Sequence, residues 1–237
     1  RGAKAGGFPF FNQSAAFGIP VTAYEDSQTW SYETGLKGQA FDGRLSFTSA
    51  LFFNETSDEQ LFLFNPLVGQ FQVENADTET YGLEAEIQFT PSDALTLNAG
   101  ISLLETEAVE DNGASVREGN QTPYAPDVSA HLEAEYSVLG DALGLPGEVL
   151  LYGRLAHVGS RQIDPANSLE LDSYQVANFR LTYRFDHYDV YGFIDNAFDE
   201  DFVQSGFRAG FNPTTGTVFG GVPGEPQLYG VGFRVRY

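Results

Sequence analysis

Apolar and polar residues alternate along several segments of the chain. In residues 81–89 every odd position is apolar, whereas the even positions hold Gly, Glu, Glu and Gln. This period of two places the apolar side chains on one face of an extended strand and the polar side chains on the other. The same alternation recurs in residues 95–103, 130–138, 179–185 and 229–237. These five segments are predicted to be strands with one apolar face.

Weaker alternation in residues 30–40, 44–54, 149–160 and 188–196 brings the total to about nine predicted strands. Both faces of 149–160 carry apolar residues, so the pattern does not assign its faces. No segment shows a convincing helical period, and residues 141–146 allow at most one helical turn. The chain is therefore predicted to be all-β.

The connections between these strands alternate between short and long. The short ones are 40–43, with an Asp-Gly hairpin signal, then 90–93 and 185–187, while 139–148 is longer than its peers. The long polar ones are 55–78, 108–122, 159–171 and 198–226. An up-and-down antiparallel meander with tight turns at one end and long loops at the other is typical of a transmembrane β-barrel of the outer membrane.

Aromatic residues mark both ends of the predicted strands. At the short-turn end they are Phe41, Phe89, Tyr136, Phe185 and Tyr237, and at the other end Tyr32, Tyr81, Tyr124, Tyr174 and Tyr229. The eight steps from Tyr81 to Phe89 climb roughly 20 Å, close to the apolar band of a membrane barrel, about 25 Å tall. Tyr32 with Phe41, and Tyr174 with Phe185, have opposite parity, so a bulge or a different partner is expected there.

A soluble β-sandwich would also show this alternation. Mid-strand charges such as Glu84, Glu86, Arg180 and Arg184 suit a wet lumen, but an exposed sandwich face tolerates them as well. The aromatic residues at both strand ends favour the barrel.

Four Tyr-Gly pairs admit two interpretations: an aromatic ring covers a glycine, or inward glycines leave room for something packed inside the barrel.

Composition excludes several classes of protein. The net charge of −21 argues against binding to nucleic acid, and no Cys is present for disulfides, thiolate zinc sites or cysteine nucleophiles. No apolar run approaches the roughly 20 residues of a spanning helix. Because the chain has no Met, we expect a processed chain or a piece of a longer one.

Candidate catalytic and metal-binding groups are few. His131, His157 and His187 lack zinc-ligand spacing. Ser160 with His157 and Asp164 is the only local set for a hydrolase, and the acidic run 199–201 lacks the pattern of a calcium loop. The sequence predicts no enzyme, no metal site and no cofactor.

Residues 32–38 read Tyr-Glu-Thr-Gly-Leu-Lys-Gly and are followed by a hairpin and residues 50–54, and residues 80–84 open a later strand. Residues 195–199 read Asp-Asn-Ala-Phe-Asp, and residues 226–230 and 233–237 belong to the last strand, which ends in Tyr. In their order and spacing these motifs resemble the C-terminal part of a TonB-dependent outer-membrane receptor, whose late Asn-Leu-Phe-Asp element has Leu where this chain has Ala197. The resemblance covers about residues 20–237.

The resemblance implies a barrel of about 22 strands whose lumen holds an N-terminal plug domain. Residues 1–28 would then be an outer loop segment, and 29–237 the C-terminal portion of the barrel with about its last nine strands. No plug or energy-coupling segment is visible in this chain. Since an odd number of strands leaves bare edges, the isolated 237 residues are not expected to form a stable closed barrel.

The implied function is TonB-coupled uptake of a scarce nutrient, most often an iron–siderophore complex, across the bacterial outer membrane. The implied partners are outer-membrane lipid, the TonB energy-coupling protein, the barrel-assembly machinery and the ligand. A passive porin-like barrel and a soluble binding sandwich remain as alternatives.

Candidate ligand contacts follow from parity and loop composition. Asn98, His131 and Arg154 are predicted to point inward near the outer rim, although Arg154 depends on the strand whose faces are unassigned. Phe207 and Phe211 lie in the aromatic loop 198–226, which suits stacking against a flat ligand and equally a mobile lid or a plain loop.

The C-terminal strand contains a candidate signal for assembly of the barrel. By resemblance, its alternating apolar residues are the signal that the barrel-assembly machinery reads. The alternative is that these residues are simply the outward face of the last strand. The set consists of Tyr229, Val231, Phe233, Val235 and Tyr237.

Overall fold

The computed structural model describes residues 1–8, 23–65, 70–212, 214 and 216–236, and these are predominantly strands. The strands are β1 (Gly2–Lys4), β2 (Ser27–Ala40), β3 (Leu45–Asn65), β4 (Gln70–Ser92), β5 (Leu95–Ala108), β6 (Val128–Leu139), β7 (Glu148–Val158), β8 (Arg161–Gln162), β9 (Glu170–Leu171), β10 (Tyr174–Phe185), β11 (Tyr188–Asp195), β12 (Val203–Asn212), β13 (Gly216–Pro223) and β14 (Leu228–Val235). One turn of 3-10 helix, Gly140–Leu143, lies between β6 and β7. Among the described residues no helix is long and apolar enough to span a membrane.

Ten strands form one antiparallel sheet in the order β1-β2-β3-β4-β5-β6-β7-β10-β11-β14. The nine predicted strands are all present, and β1, which pairs with the start of β2, is the tenth. The pairs β8-β9 and β12-β13 form two small separate sheets within the connections that follow β7 and β11. The prediction of an all-β, up-and-down antiparallel fold is confirmed, and the sheet is part of a barrel.

The register gives the sheet one apolar and one polar face. Leu83 lies opposite Leu51 on one side and Leu103 on the other, and all three are exposed or half-exposed on the apolar face. In β7, Leu151 joins this face, whereas Arg154 lies on the polar one opposite Glu133. No second sheet packs on the apolar face within the described residues, which argues against the soluble sandwich.

Tight turns lie at one end of the sheet and long connections at the other, as predicted. The β2–β3 turn places Phe41, Asp42 and Gly43 in the left-handed region, with φ of 53°, 55° and 85°. The stretch 55–78, however, was predicted as a loop, and this is wrong: β3 and β4 continue through most of it as a paired ladder.

Burial explains the continuation of β3 and β4. Leu61, Ala76, Ala108 and Val116 form a buried apolar cluster beyond the end of the alternating segments, so the extension packs against the β5–β6 connection. The predicted loop 198–226 likewise contains the β12–β13 hairpin. The outer end of the sheet therefore holds ordered β-structure.

The predicted ring of aromatics at the outer end is only partly correct. Tyr32 and Tyr81 lie on the apolar face and are exposed. Tyr174 lies on the polar face, since β10 has no register shift against β7 or β11, and Tyr124 lies in a connection. The expected bulges are absent from β2 and β10: Phe41 sits in the turn outside β2, and Tyr174 has a different partner, described below.

Aromatic rings cover several strand glycines, as one interpretation of the Tyr-Gly pairs predicts. A Cβ atom on Gly82 would lie 2.7 Å from the ring of Phe52, and one on Gly230 would lie 2.8 Å from the ring of Phe193. In each case the ring belongs to the neighbouring strand. Such close contacts allow large rings to lie flat on the polar face of a curved sheet.

Candidate functional site

The polar face contains a recess of about 800 Å³ in its middle. His131 on β6 and Arg154 on β7 line it, together with Lys37, Glu84 and Glu86 from β2 and β4. The strict alternation of these strands turns all five side chains to the same face. The recess can offer hydrogen bonds and charges of both signs.

A second recess of about 760 Å³ lies on the same face, and Asn98 and His131 both line it. His131 stands opposite Gly100 of β5, where a side chain larger than hydrogen would overlap the imidazole. Gly100 therefore allows the imidazole to lie close to the wall. The three polar residues chosen from parity do come together on one face.

The position of these three residues along their strands, between the short turns and the long connections, differs from the prediction. Asn98 is only three residues from the start of β5 at Leu95, close to a short turn, so its assignment to the outer rim is wrong. Asn98 pairs with Glu133, and Glu133 pairs with Arg154, which puts all three in one row. Whether a position is odd or even determines the face on which its side chain lies, whereas its distance from the outer rim depends on where the strand begins.

Arg154 is already engaged within the sheet. Its Nε lies 3.3 Å from Oε1 of Glu133, and its side chain is 46% exposed. An ion pair this exposed contributes little stability, so the guanidinium keeps donors available for another acceptor. His131 makes no hydrogen bond to any described residue, and its imidazole faces both recesses.

The aromatic candidates belong to a different element, the β12–β13 hairpin. The ring of Phe207 lies over Gly220 of β13 and remains 45% exposed. The backbone of Phe211 pairs with Thr217, but its side chain lies outside the described residues. Phe207 is thus an exposed aromatic surface at the end of the sheet that carries the long connections.

Arg161 anchors this hairpin to the sheet. It is 5% exposed, and its Nη2 donates to the backbone oxygens of Val203 and Gln204, each at 2.9 Å. Its guanidinium lies 5.3 Å from the ring centroid of Tyr174, which in turn stacks on Phe202 with centroids 4.0 Å apart. A cation, two rings and two carbonyls therefore tie the start of β12 to the end of β10.

Tyr124 forms a second tie to the hairpin. Its hydroxyl donates to the backbone oxygen of Gly206, and its own N–H donates to the backbone oxygen of Gln162 at 2.9 Å. Burial and the carboxylate of Asp164 raise the pKa of Tyr124 above its usual value, an effect that the positive charge of Arg161 partly opposes. The hydroxyl therefore stays protonated and donates at physiological pH.

The other long connections are joined by side-chain amides. Asn167 donates to the backbone oxygen of Gln121 and accepts from its N–H, both at 2.8 Å. Asn120 donates to the backbone oxygen of Pro165, also at 2.8 Å. The connections after β5, β7 and β11 thus form one continuous cluster, which we call the outer cluster (residues 109–127, 159–173, 196–212, 214 and 216–227).

Arg161 and Tyr174 were missed as candidates by sequence analysis. The opposite parity of Tyr174 and Phe185 was the available signal, since it indicates that Tyr174 leaves the outward face. No sequence pattern pairs Arg161 with carbonyls more than 40 residues away.

The possible hydrolase set does not assemble. Asp164 is buried and accepts from the N–H of Ser168 at 2.9 Å and from its hydroxyl. No hydrogen bond joins Ser160, His157 and Asp164 in the described part of the chain. Across the ranges described, no three His, Asp or Glu residues are placed to hold a metal ion.

The acidic run after β11 is part of a turn. Asn196 donates to the backbone oxygens of Glu200 and Glu225 at 2.9 and 3.0 Å and accepts from the N–H of Glu200. Asp199 accepts from the N–H of Gln227 at 3.3 Å. These contacts close the base of the connection that carries β12 and β13.

The C-terminal strand presents its alternating set on the apolar face. Tyr229, Val231 and Phe233 are 74%, 87% and 62% exposed, and Val235 follows the same alternation. Tyr237 lies outside the described residues. This placement agrees with both interpretations of the set, so its role as an assembly signal stays a prediction.

Comparison with known proteins identifies relatives in sequence. The ferric-pyoverdine M114 receptor PbuA of Pseudomonas sp. (strain M114) is 29% identical over 207 residues, covering 84% of this chain and 23% of that protein. The ferrichrome outer membrane transporter/phage receptor of Escherichia coli (strain K12) is 26% identical over 216 residues, covering 84% and 27%. The chain spans about a quarter of the length of these relatives.

Solved structures show the same fold. The ferric yersiniabactin uptake receptor FyuA from Yersinia pestis superimposes with a TM-score of 0.80 at 18% identity, over 99% of this chain and 33% of that one. A family model described as TonB dependent receptor-like, beta-barrel matches residues 4–197. The chain therefore belongs to the TonB-dependent receptor-like β-barrel family.

Proposed function

We propose that this chain forms part of the wall and outer connections of an outer-membrane receptor that takes up a ferric chelate in a TonB-coupled process. The observation that carries the proposal is the family match, together with two relatives whose names specify ferric-pyoverdine and ferrichrome. A polar face with recesses beneath an ordered outer cluster agrees with a path for a polar ligand.

In this proposal the ligand meets two surfaces in turn. Phe207 and Phe211 on the β12–β13 hairpin contact it at the cell surface, where an exposed ring stacks against a flat or apolar part. Asn98, His131 and Arg154 contact it within the lumen. An amide, an imidazole and a guanidinium suit the oxygen-rich surface of a ferric chelate.

The apolar face faces outer-membrane lipid in this proposal. The alternating set on β14, with Tyr237, is the signal for the barrel-assembly machinery. The TonB energy-coupling protein acts through a part of the receptor that is not in this chain.

The proposal is tested by iron uptake in a strain that lacks the gene. Radioactive iron is supplied as ferrichrome and as ferric pyoverdine, and the strain is complemented with the complete gene. We expect uptake of at least one chelate to return with the gene and to stop when a protonophore collapses the proton-motive force. Equal uptake without the gene would contradict the proposal, and gene-dependent uptake that survives the protonophore would indicate a passive pore instead.

A matched pair of variants tests the contact at the hairpin. Phe207→Ala should raise the chelate concentration needed for half-maximal uptake, since it removes the exposed ring. Phe198→Ala removes a more exposed ring, 75% accessible, from the same connection but outside the hairpin, and should leave it unchanged. Equal effects of the two variants would argue against a ligand contact at Phe207.

A further inference from the structure

A groove of about 780 Å³ lies on the apolar face of the sheet, towards the end that carries the long connections. Leu51, Leu83 and Leu103 stand side by side on β3, β4 and β5 and line the part nearer the short turns. Tyr32 and Tyr81 line the groove in the next row of paired residues, one row farther out. The apolar lining of this groove suits a hydrocarbon chain.

Four carboxylates lie on the same face, beside the groove and directly beyond it. Glu105 stands opposite Tyr81 and accepts a hydrogen bond from its hydroxyl. Two residues farther out, Glu55, Glu79 and Glu107 stand opposite one another on β3, β4 and β5. The Cβ atoms of such directly opposed residues are about 5 Å apart, and like charges at this spacing destabilise a sheet. A cation bound to this row would remove that repulsion.

The described part of the chain does not supply this cation. None of the four carboxylates forms an ion pair with a described Lys, Arg or His residue. The residues that line the groove include Glu105 and Asp127 but no Lys, Arg or His. Arg1 is engaged elsewhere, since its guanidinium donates to Gln28 and lies 5.3 Å from the ring centroid of Trp30.

The order of these two features along the strands decides the kind of partner. The carboxylate row lies two residues, or about 7 Å, beyond the ring of Tyr81. The partner therefore needs an apolar chain and, at one end of it, a positive charge. Carboxylates bind an ammonium group through charge-assisted hydrogen bonds, and the faces of nearby tyrosine rings attract it as well. A metal ion or a small amine alone would leave the apolar groove unused.

From this geometry we infer that the groove binds a lipid of the outer leaflet whose head group carries an amine. One acyl chain lies along the leucines of the groove, and the ammonium group binds the carboxylates of Glu79, Glu105 and Glu107. The inference rests on the proposed function, in which the apolar face lies in the membrane and the long connections lie at the cell surface.

Native mass spectrometry of the complete receptor in detergent tests the inference. Phosphatidylethanolamine and phosphatidylglycerol with identical acyl chains are added in equal amounts. We expect occupancy by phosphatidylethanolamine to be about ten-fold higher. Glu79→Gln combined with Glu107→Gln should abolish this preference. Glu110→Gln combined with Glu118→Gln is the matched control, because it removes two exposed carboxylates from the connection after β5 and should leave the preference unchanged.

Two further measurements separate the head group from the acyl chain. Leu51→Trp fills the groove with a larger apolar side chain and should reduce the occupancy of both lipids. N-acetylated phosphatidylethanolamine keeps the acyl chains but has no ammonium group, so it should bind the unaltered receptor no better than phosphatidylglycerol. This second measurement needs no variant and therefore does not depend on the assembly of an altered barrel.

Three outcomes would overturn the inference. Equal occupancy by the two lipids in the unaltered receptor would show a contact without head-group selection. A preference for phosphatidylglycerol that disappears with EDTA would show a phosphate held through a divalent cation. Equal binding of phosphatidylethanolamine and its N-acetylated form would show that the charge has no role. Because the proposed function is tested by iron uptake and this inference by lipid occupancy, failure of one is distinguishable from failure of the other.

Discussion

Replacing Arg161 with Ala should release the β12–β13 hairpin from the sheet. The guanidinium is buried, donates two hydrogen bonds of 2.9 Å to the oxygens of Val203 and Gln204, and lies 5.3 Å from the ring centroid of Tyr174. Truncation removes all of these contacts. It also leaves two carbonyl oxygens at the start of β12 without their donor.

The size of the effect follows from these contacts. A hydrogen bond from a charged donor contributes about 1.5 to 3 kcal/mol, and a cation–π contact about 0.5 to 2 kcal/mol. Because water satisfies part of the exposed carbonyls after release, we expect a loss of about 3 to 5 kcal/mol in the free energy of docking. That corresponds to a shift on the order of a hundred-fold to a few thousand-fold towards the undocked hairpin.

Hydrogen–deuterium exchange of the complete receptor in detergent measures this shift. A two-stranded hairpin alone is marginally stable, so residues 203–223 should lose protection in Arg161→Ala and lose less in Arg161→Lys, which keeps the charge. Arg117→Ala is the control, since Arg117 also donates to two carbonyls, at 3.0 and 2.9 Å, but within its own connection. Unchanged protection of residues 203–223 in Arg161→Ala would refute the anchoring role.

Three further predictions concern Gly232, Tyr124 and Tyr237. Gly232→Ala should lower the free energy of unfolding of the assembled barrel by about 1 to 3 kcal/mol, because the new Cβ overlaps the ring of Tyr191. Gly192→Ala is the control and should change the melting temperature little, because its Cβ meets only a backbone oxygen at 3.8 Å. Equal melting temperatures of the two variants would contradict this prediction. The raised pKa of Tyr124 means that its hydroxyl contributes to hairpin docking below the unfolded pKa of about 10 and that this contribution is lost as the pH rises through the higher folded pKa. Protection of residues 203–223 should therefore fall at alkaline pH in the wild type, and a fall of the same size in Tyr124→Phe would rule out this cause. Deletion of Tyr237 in the complete receptor should reduce the amount assembled in the membrane without changing the ligand affinity of what remains, and unchanged surface levels would argue against its role as a signal.

The alternation of apolar and polar residues was sufficient to predict the nine main strands. Residues 81–89 show why: a membrane wall needs apolar side chains on one face and a wet lumen needs polar ones on the other, so both faces constrain the sequence. The β12–β13 hairpin lacks this constraint. It is rich in Gly and carries two register shifts, so no regular period marks it in the sequence.

The candidate site was predictable only in part, for a related reason. Parity correctly assigned Asn98 and His131 to the polar face, but it carries no information on height, which depends on the offset between neighbouring strands. Arg161 could not be paired with the carbonyls of Val203 and Gln204, because that contact joins two connections that the sequence pattern leaves unplaced.

In the proposed receptor this chain spans the outer membrane as barrel strands, with its long connections on the cell surface. Residues 1–237 contain no Cys, so a single substitution places one new thiol in this part of the receptor for a membrane-impermeant maleimide to label on intact cells. Glu118→Cys, in an exposed part of the outer cluster, should be labelled on intact cells, and Asp141→Cys, in the link after β6, should be labelled only after the outer membrane is opened. Labelling of both residues on intact cells, or of Asp141→Cys alone, would contradict this orientation of the strands in the membrane.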